Sequence, residues 1–173
     1  IKAVDGFVGN FETTIQTKEE ELTLAHGITI VASGASELKP DAYLYGGDPR
    51  VITGLELDRK LIENDPSIGK QKAVVFIQCV GSRIPERPYC SKVCCTHSLK
   101  NALKLKEMNP EMDIFILYRD MRSYGLREDL YRKARRQGIH ILRYDFEKGL
   151  NVSVKNGNLQ IEFTDSSIRR RME

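Results

Sequence analysis

No apolar run in this chain approaches the about 20 residues that a helix needs to cross a bilayer, so no membrane span is expected. Nothing at its start has the charged, apolar and small-residue succession of a secretory signal, and a cytoplasmic setting is the expectation. The sequence opens on Ile1 rather than Met, which points to a piece of a longer protein. A net charge of +3 over 173 residues is too small to argue for nucleic acid. Only Arg119–Arg143 is uneven, with eight Lys/Arg against three acids; it reads as a solvated helix face or as a dock for an acidic partner. Two motifs are also missing. Without G-x-G-x-x-G there is no glycine loop to cradle a dinucleotide pyrophosphate. Without C-x-x-C, direct thiol oxidoreductase chemistry is the weakest of the readings open to the cysteines.

What is present begins with those cysteines. All four, Cys79, Cys90, Cys94 and Cys95, fall within seventeen residues, spaced C-x10-C-x3-C-C across a loop that carries Pro85 and Pro88. Their polar and charged neighbours argue against ordinary core thiols. The lack of a secretory signal argues against a disulfide scaffold. Four thiolates meeting at one point suit a tetrahedral metal or a cubane iron–sulfur cluster. Structural zinc stays open as an alternative, in which the segment would be a zinc-stabilised interaction module. Zinc sites, however, usually pair their cysteines as two short knuckles. His97 is within reach as an extra ligand, yet four thiolates complete a cubane, so a supporting or solvent-facing role is expected for it.

The surrounding pattern is α/β. Residues 1–17 alternate as half-buried strands, with Phe11, Thr13, Ile15 and Thr17 on one side, broken into a hairpin-like meander by Gly6, Gly9 and Asn10. A further strand is predicted over Leu22–Ser33, ending in I-T-I-V-A-S-G-A at Ala35, where small residues let the backbone approach a bound group. Residues 37–49 read as a linker. Thr53 and Glu56 have capping-box spacing ahead of a helix with Leu55, Leu57, Leu61 and Ile62 on its apolar side. A domain boundary is expected near residue 68, giving segments 1–68 and 69–173. In the second, Ala73–Gln78, Ile114–Tyr118 and Ile139–Tyr144 are buried parallel strands. Helices over Cys94–Met108 and Leu126–Gln137 join them into a Rossmann-like βαβαβ half. Asn156-Gly157 marks a terminal β-hairpin.

Ligands of open α/β sheets bind beyond the carboxyl ends of the strands. The first parallel strand runs straight into Cys79, so the thiols are expected to occupy the crevice that a nicotinamide takes elsewhere. No NAD(P) site is expected in this segment. The positive end of the helix starting at about Cys94, with Arg83 and Lys92, would favour an anionic cluster. Lys100 stands about one and a half turns past Cys95. It is either an exposed helix lysine or a group aimed across the domain junction.

The meander followed by the V-A-S-G-A segment resembles the late part of the FAD-binding domain of pyridine-nucleotide disulfide oxidoreductases, with Ser33 where threonine is usual. More specifically, F-I-Q-C-V-G-S-R, R-P-Y-C-S-K-V-C-C-T-H-S-L-K-N-A and L-Y-R-D-M-R-S-Y-G resemble the A subunit of heterodisulfide reductase. So do the opening G-F-V-G-N-F-E and Y-L-Y-G-G. That resemblance implies an iron–sulfur flavoprotein that moves electrons between FAD and a [4Fe–4S] cluster within a multi-subunit redox complex. It puts Cys79, Cys90, Cys94 and Cys95 on the cluster ligands and Ser33, Gly34 and Ala35 beside the flavin. Lys100 falls on a lysine of the family block and is the candidate catalytic residue. Related electron-transfer subunits of anaerobic sulfur metabolism share the block. Most of the FAD site would lie outside this sequence, so turnover by this stretch alone is not expected.

Overall fold

A computed structural model describes all residues, 1–173. They fall into two compact units, Ile1–Ser36 and Glu37–Glu173. The expected linker helix therefore lies with the second.

In the first unit, β1 (Ala3–Phe7), β2 (Asn10–Gln16) and β3 (Glu21–His26) form an antiparallel meander in the order β1-β2-β3. Thr13 is the one buried side chain of these strands. It shares a 2.7 Å hydrogen bond with His26 Nε2, and His26 Nδ1 lies 2.8 Å from the Ile28 carbonyl. A carbonyl can only accept, so Nδ1 carries a proton and donates to it. The strand predicted to run through Ser33 stops at His26. Its last pair with β2 is Phe11↔His26; past it the Gly27 carbonyl still accepts from Gly9 N–H at 2.7 Å, and from Ile28 through Pro40 no strand pairs with the chain. Residues 28–40 take no regular structure, and Ile28, Ile30 and Val31 are exposed.

The second unit opens with α1 (Gly54–Ile62), whose start carries the expected capping box. Glu56 N–H donates to Thr53 Oγ1 at 3.2 Å and Thr53 N–H to Glu56 Oε2 at 2.8 Å. Its apolar side is narrower than expected. Leu57 is buried and Leu61 packs on the core, while Leu55 and Ile62 face solvent. A single turn, α2 (Pro66–Gly69), leads into β4 (Ala73–Ile77). Then follow α3 (Cys94–Met108), β5 (Asp113–Tyr118), α4 (Glu128–Arg136, entered through a 3-10 turn at Gly125–Arg127) and β6 (His140–Arg143). The three strands are parallel in the order β4-β5-β6, the βαβαβ half expected. The hairpin β7 (Leu150–Lys155) and β8 (Asn158–Asp165) turns at Asn156-Gly157, both with left-handed backbone. A short β9 (Arg170–Met172), which the sequence pattern does not predict, completes that antiparallel sheet.

Alternation along the parallel strands sorts the core into two layers. Val74, Phe76, Ile114 and Ile116 pack with Leu99, Ala102, Leu105 and Ala134 of the helices. Val75, Ile77, Leu117 and Leu142 pack with Leu150, Ile161 and Phe163 of the hairpin sheet. Helices, parallel sheet and antiparallel sheet thus stack as three layers, and both faces of β5 are dry. This leaves the carboxyl edge of the parallel sheet as the place where loops and polar groups gather. No helix is long and apolar enough to cross a membrane.

Candidate metal centre

Gln78 decides where the cysteine loop leaves the sheet. Its N–H extends the ladder to the Leu117 carbonyl at 2.9 Å, and its buried amide donates to Ser98 Oγ of α3 at 2.6 Å. Its own carbonyl accepts from the buried Tyr144 hydroxyl at 3.1 Å. Strand, helix and hairpin layer are therefore tied at the residue before Cys79. From there Cys79, Gly81, Arg83 and Lys92 all adopt left-handed backbone, with φ of 64°, 64°, 59° and 61°. Side-chain-bearing residues held so cost on the order of 1 kcal/mol or more each, and such strain clusters at functional sites. Ile84 and Arg87 close a small turn, and Arg87 Nη1 donates to the Gly81 carbonyl at 2.5 Å.

All four thiols are free; Cys95 is buried and the others half-buried. Cys94 and Cys95 open α3, and the Cys95 thiol donates to the Asp120 carbonyl at 3.8 Å. The neighbouring Cys95 thiol holds Cys94 down to about 6, helped by the Ser91 hydroxyl and by the first N–H groups of the helix. Cys94 beside it, with burial, pushes Cys95 up and keeps its proton in place. Cys79 lies close enough to feel the charge on Cys94. Burial raises its thiol, and Arg83 Nη1, 4.0 Å from its sulfur, opposes that rise. Cys90 Sγ accepts from Lys92 N–H at 3.3 Å. Cys79, Cys94 and Cys95 lie near enough to feel one another's charge, and Cys90 stands before α3 in the loop between Cys79 and Cys94. No three His, Cys, Asp or Glu side chains converge closely enough to hold a metal ion as they stand. In chemistry the donor set nonetheless fits an iron–sulfur cluster. It offers four unpaired thiols, one already favouring the thiolate, and N–H groups directed at the sulfurs of Cys90 and Cys94.

The other expected site residues are spread. Lys100 is exposed and lines a shallow cleft of about 280 Å³ with Val93, Thr96, His97, Arg127 and Leu130. The Thr96 hydroxyl there is buried without a partner. His97 turns away from the thiols: its Nε2 meets Asp58 Oδ2 at 2.7 Å, and Asn101 Nδ2 donates to Asp58 Oδ1 at 2.8 Å. It ties α3 to α1. Ser33, Gly34 and Ala35 are exposed in the first unit, Gly34 with a φ of 70° and open space where a Cβ would stand.

Three polar residues of the site were not singled out from sequence. Asp120 and Arg119 follow β5, and Arg143 ends β6. The signal was available in the topology, since they end strands on the edge where α/β sheets bind ligands.

No protein-family model matches the chain. Among curated proteins it is similar to the iron-sulfur A subunit of CoB–CoM heterodisulfide reductase from Methanocaldococcus jannaschii. The two are 41% identical over 142 residues, 73% of this chain and 22% of that protein. The A subunit of the H2:CoB-CoM heterodisulfide,ferredoxin reductase of Methanothermobacter thermautotrophicus is 37% identical over 140 residues, 72% of the chain and 21% of the relative. The A subunit of the ferredoxin/F420H2-dependent CoB-CoM heterodisulfide reductase of Methanosarcina acetivorans is 37% identical over 145 residues, covering 74% and 18%. The chain spans about a fifth of the length of these relatives.

Proposed function

The chain belongs to the family of heterodisulfide reductase A subunits, and from that premise we propose that it is the electron-transfer stretch of an iron–sulfur flavoprotein oxidoreductase. Cys79, Cys90, Cys94 and Cys95 hold a [4Fe–4S] cluster, which supplies one-electron storage when bound. The residues of this chain bind it, shield it and set its charge environment. Closure needs the four sulfurs to draw together, since no three of them converge closely enough to hold a metal as they stand. The left-handed residues that shape the loop between Cys79 and Lys92 keep it strained and unlike a plain connection.

The observation that carries this reading is the group of four free thiols at the carboxyl edge of a parallel sheet, beside the amino end of α3, with Arg83 against one sulfur. The name of the relative from Methanocaldococcus jannaschii, which calls it an iron-sulfur protein, is in keeping with it. FAD is the second cofactor, with Ser33, Gly34 and Ala35 beside it and most of its site contributed from outside this sequence. Lys100 steadies the reduced flavin by its charge; its exposure and its place on the rim of a cleft leave its ammonium free to do so. Other subunits of a cytoplasmic redox complex are the partners, and the stretch alone has no turnover.

Anaerobic reconstitution with iron and sulfide tests the reading. About four irons and as many sulfides per chain, with broad absorption near ~400 nm, are expected, and each Cys→Ser variant should lose them. One tightly held zinc without sulfide, whose chelation loosens the fold, would replace the cluster by a structural metal.

A further inference from the structure

Asp120 reaches two of the four cysteines. Its carbonyl accepts from the Cys95 thiol at 3.8 Å, and its Oδ2 accepts from Arg83 Nη2 at 2.5 Å. Arg83 turns its other terminal nitrogen to Cys79 Sγ. The planar fork of an arginine can serve a carboxylate and a sulfur at once, as a lysine cannot. Two further arginines brace the arrangement. Arg119 Nη1 donates to the Arg83 carbonyl at 3.0 Å, and its guanidinium lies 3.7 Å over the Phe146 ring. Arg143 donates from Nε to the Arg119 carbonyl at 3.0 Å and from Nη2 to Asp120 Oδ1 at 3.4 Å.

Stability does not explain this network. The Asp120 side chain is 46% exposed, and ion pairs in that setting contribute little to folding. Arg83, by contrast, is only 18% exposed and is held with left-handed backbone, an arrangement that orders a guanidinium at one sulfur rather than in water. Positive charge beside a thiolate-bound cluster favours the added electron and raises the reduction potential.

We propose that Arg83 sets the reduction potential of the centre held by the four cysteines, and that Asp120 is the positioning residue that keeps Arg83 against Cys79. The inference rests on the iron–sulfur reading above and adds to it the residues that tune the site. Removing the Asp120 carboxylate has two opposed effects: losing a negative charge raises the potential, and releasing Arg83 lowers it. Only the first remains once Arg83 is gone.

Anaerobic redox titration of the reconstituted chain and its Arg83→Gln, Arg83→Lys, Asp120→Asn and R83Q/D120N variants separates these effects. Arg83→Gln is expected to lower the reduced-to-oxidised ratio at a fixed poise about tenfold, equal to about 59 mV for one electron. Arg83→Lys, which keeps the charge without the fork, should fall between. Asp120→Asn should shift the potential less upward, or further downward, in the wild-type background than in the R83Q background. That non-additivity marks one residue acting through the other. An unchanged potential in Arg83→Gln overturns the inference, as do shifts that simply add. So does failure of both Arg83 variants to load a centre that the wild type loads, since Arg83 would then build the loop rather than tune the site. A wild type that takes up neither iron nor sulfide removes the iron–sulfur reading, and the inference with it. A loaded wild type whose potential ignores Arg83→Gln removes the inference alone.

Discussion

At the residue scale, the cysteines are distinguished by what surrounds each sulfur rather than by their number. Cys95 is buried and keeps its proton, Cys94 favours the thiolate, Cys79 meets a guanidinium and Cys90 a backbone N–H. Gln78 is the residue on which this arrangement leans. Replacing it by Leu leaves the Ser98 hydroxyl without its buried partner, at a cost of about 1–3 kcal/mol. Urea unfolding of the Gln78→Leu variant should show that loss, and a midpoint equal to the wild type would show that the Gln78–Ser98 bond is dispensable. The four cysteines were legible from spacing alone. Asp120 and Arg119 were not, because a carboxylate beside arginines in a basic run looks like any solvated pair until β5 is known to end there.

At the scale of elements, α1 shows how local chemistry fixes a boundary. Thr53 and Glu56 cap each other's backbone, as their spacing predicts, and Thr53→Ala should cost about 1 kcal/mol, read as a lower midpoint in thermal unfolding. Glu56 adds a pH dependence. Its hydrogen bond from Lys39, with that from the Thr53 N–H, holds its carboxyl at about 2, below the ordinary 4.5. A depressed carboxyl contributes stability that is present above about pH 4.5 and is lost as pH falls towards 2. Glu56→Gln should therefore flatten the acid limb of a stability–pH curve between those values, and an unchanged slope would show that the Lys39 pair contributes nothing in solution. The hairpin was equally readable from Asn156-Gly157. The overrun of β3 has a different origin. I-T-I-V is apolar and β-branched, which favours strand, but a strand also needs a neighbour, and β2 ends its pairing at Phe11. Nothing local marks β9 either: three residues, two of them arginine, carry no period.

On the scale of the whole molecule, the second unit is a three-layer body whose dry β5 and tied Gln78 hold the cysteine edge rigid from below. The first unit differs: its strands bury only Thr13, and the apolar residues after His26 stand in solvent. An exposed, unpaired apolar segment is where a protease enters first. Limited thermolysin digestion is expected to cut at Ile28–Val31 and to leave the second unit as a protected fragment. Initial cleavage inside β4, α3 or β5 would contradict the division between the units. The α/β character and the parallel strands were legible because buried strands write continuous apolar runs. The two-layer sorting around the sheet was not, since it depends on which face each later element covers.

The most direct measurement is a crystal structure of the anaerobically reconstituted protein with anomalous diffraction collected at the iron edge. A compact iron centre bonded to Sγ of Cys79, Cys90, Cys94 and Cys95, with Arg83 still on the Cys79 side, is the expected result. Iron absent from that edge, or a single zinc in its place, or a cysteine of the four left unbonded in a fully loaded sample, would contradict it.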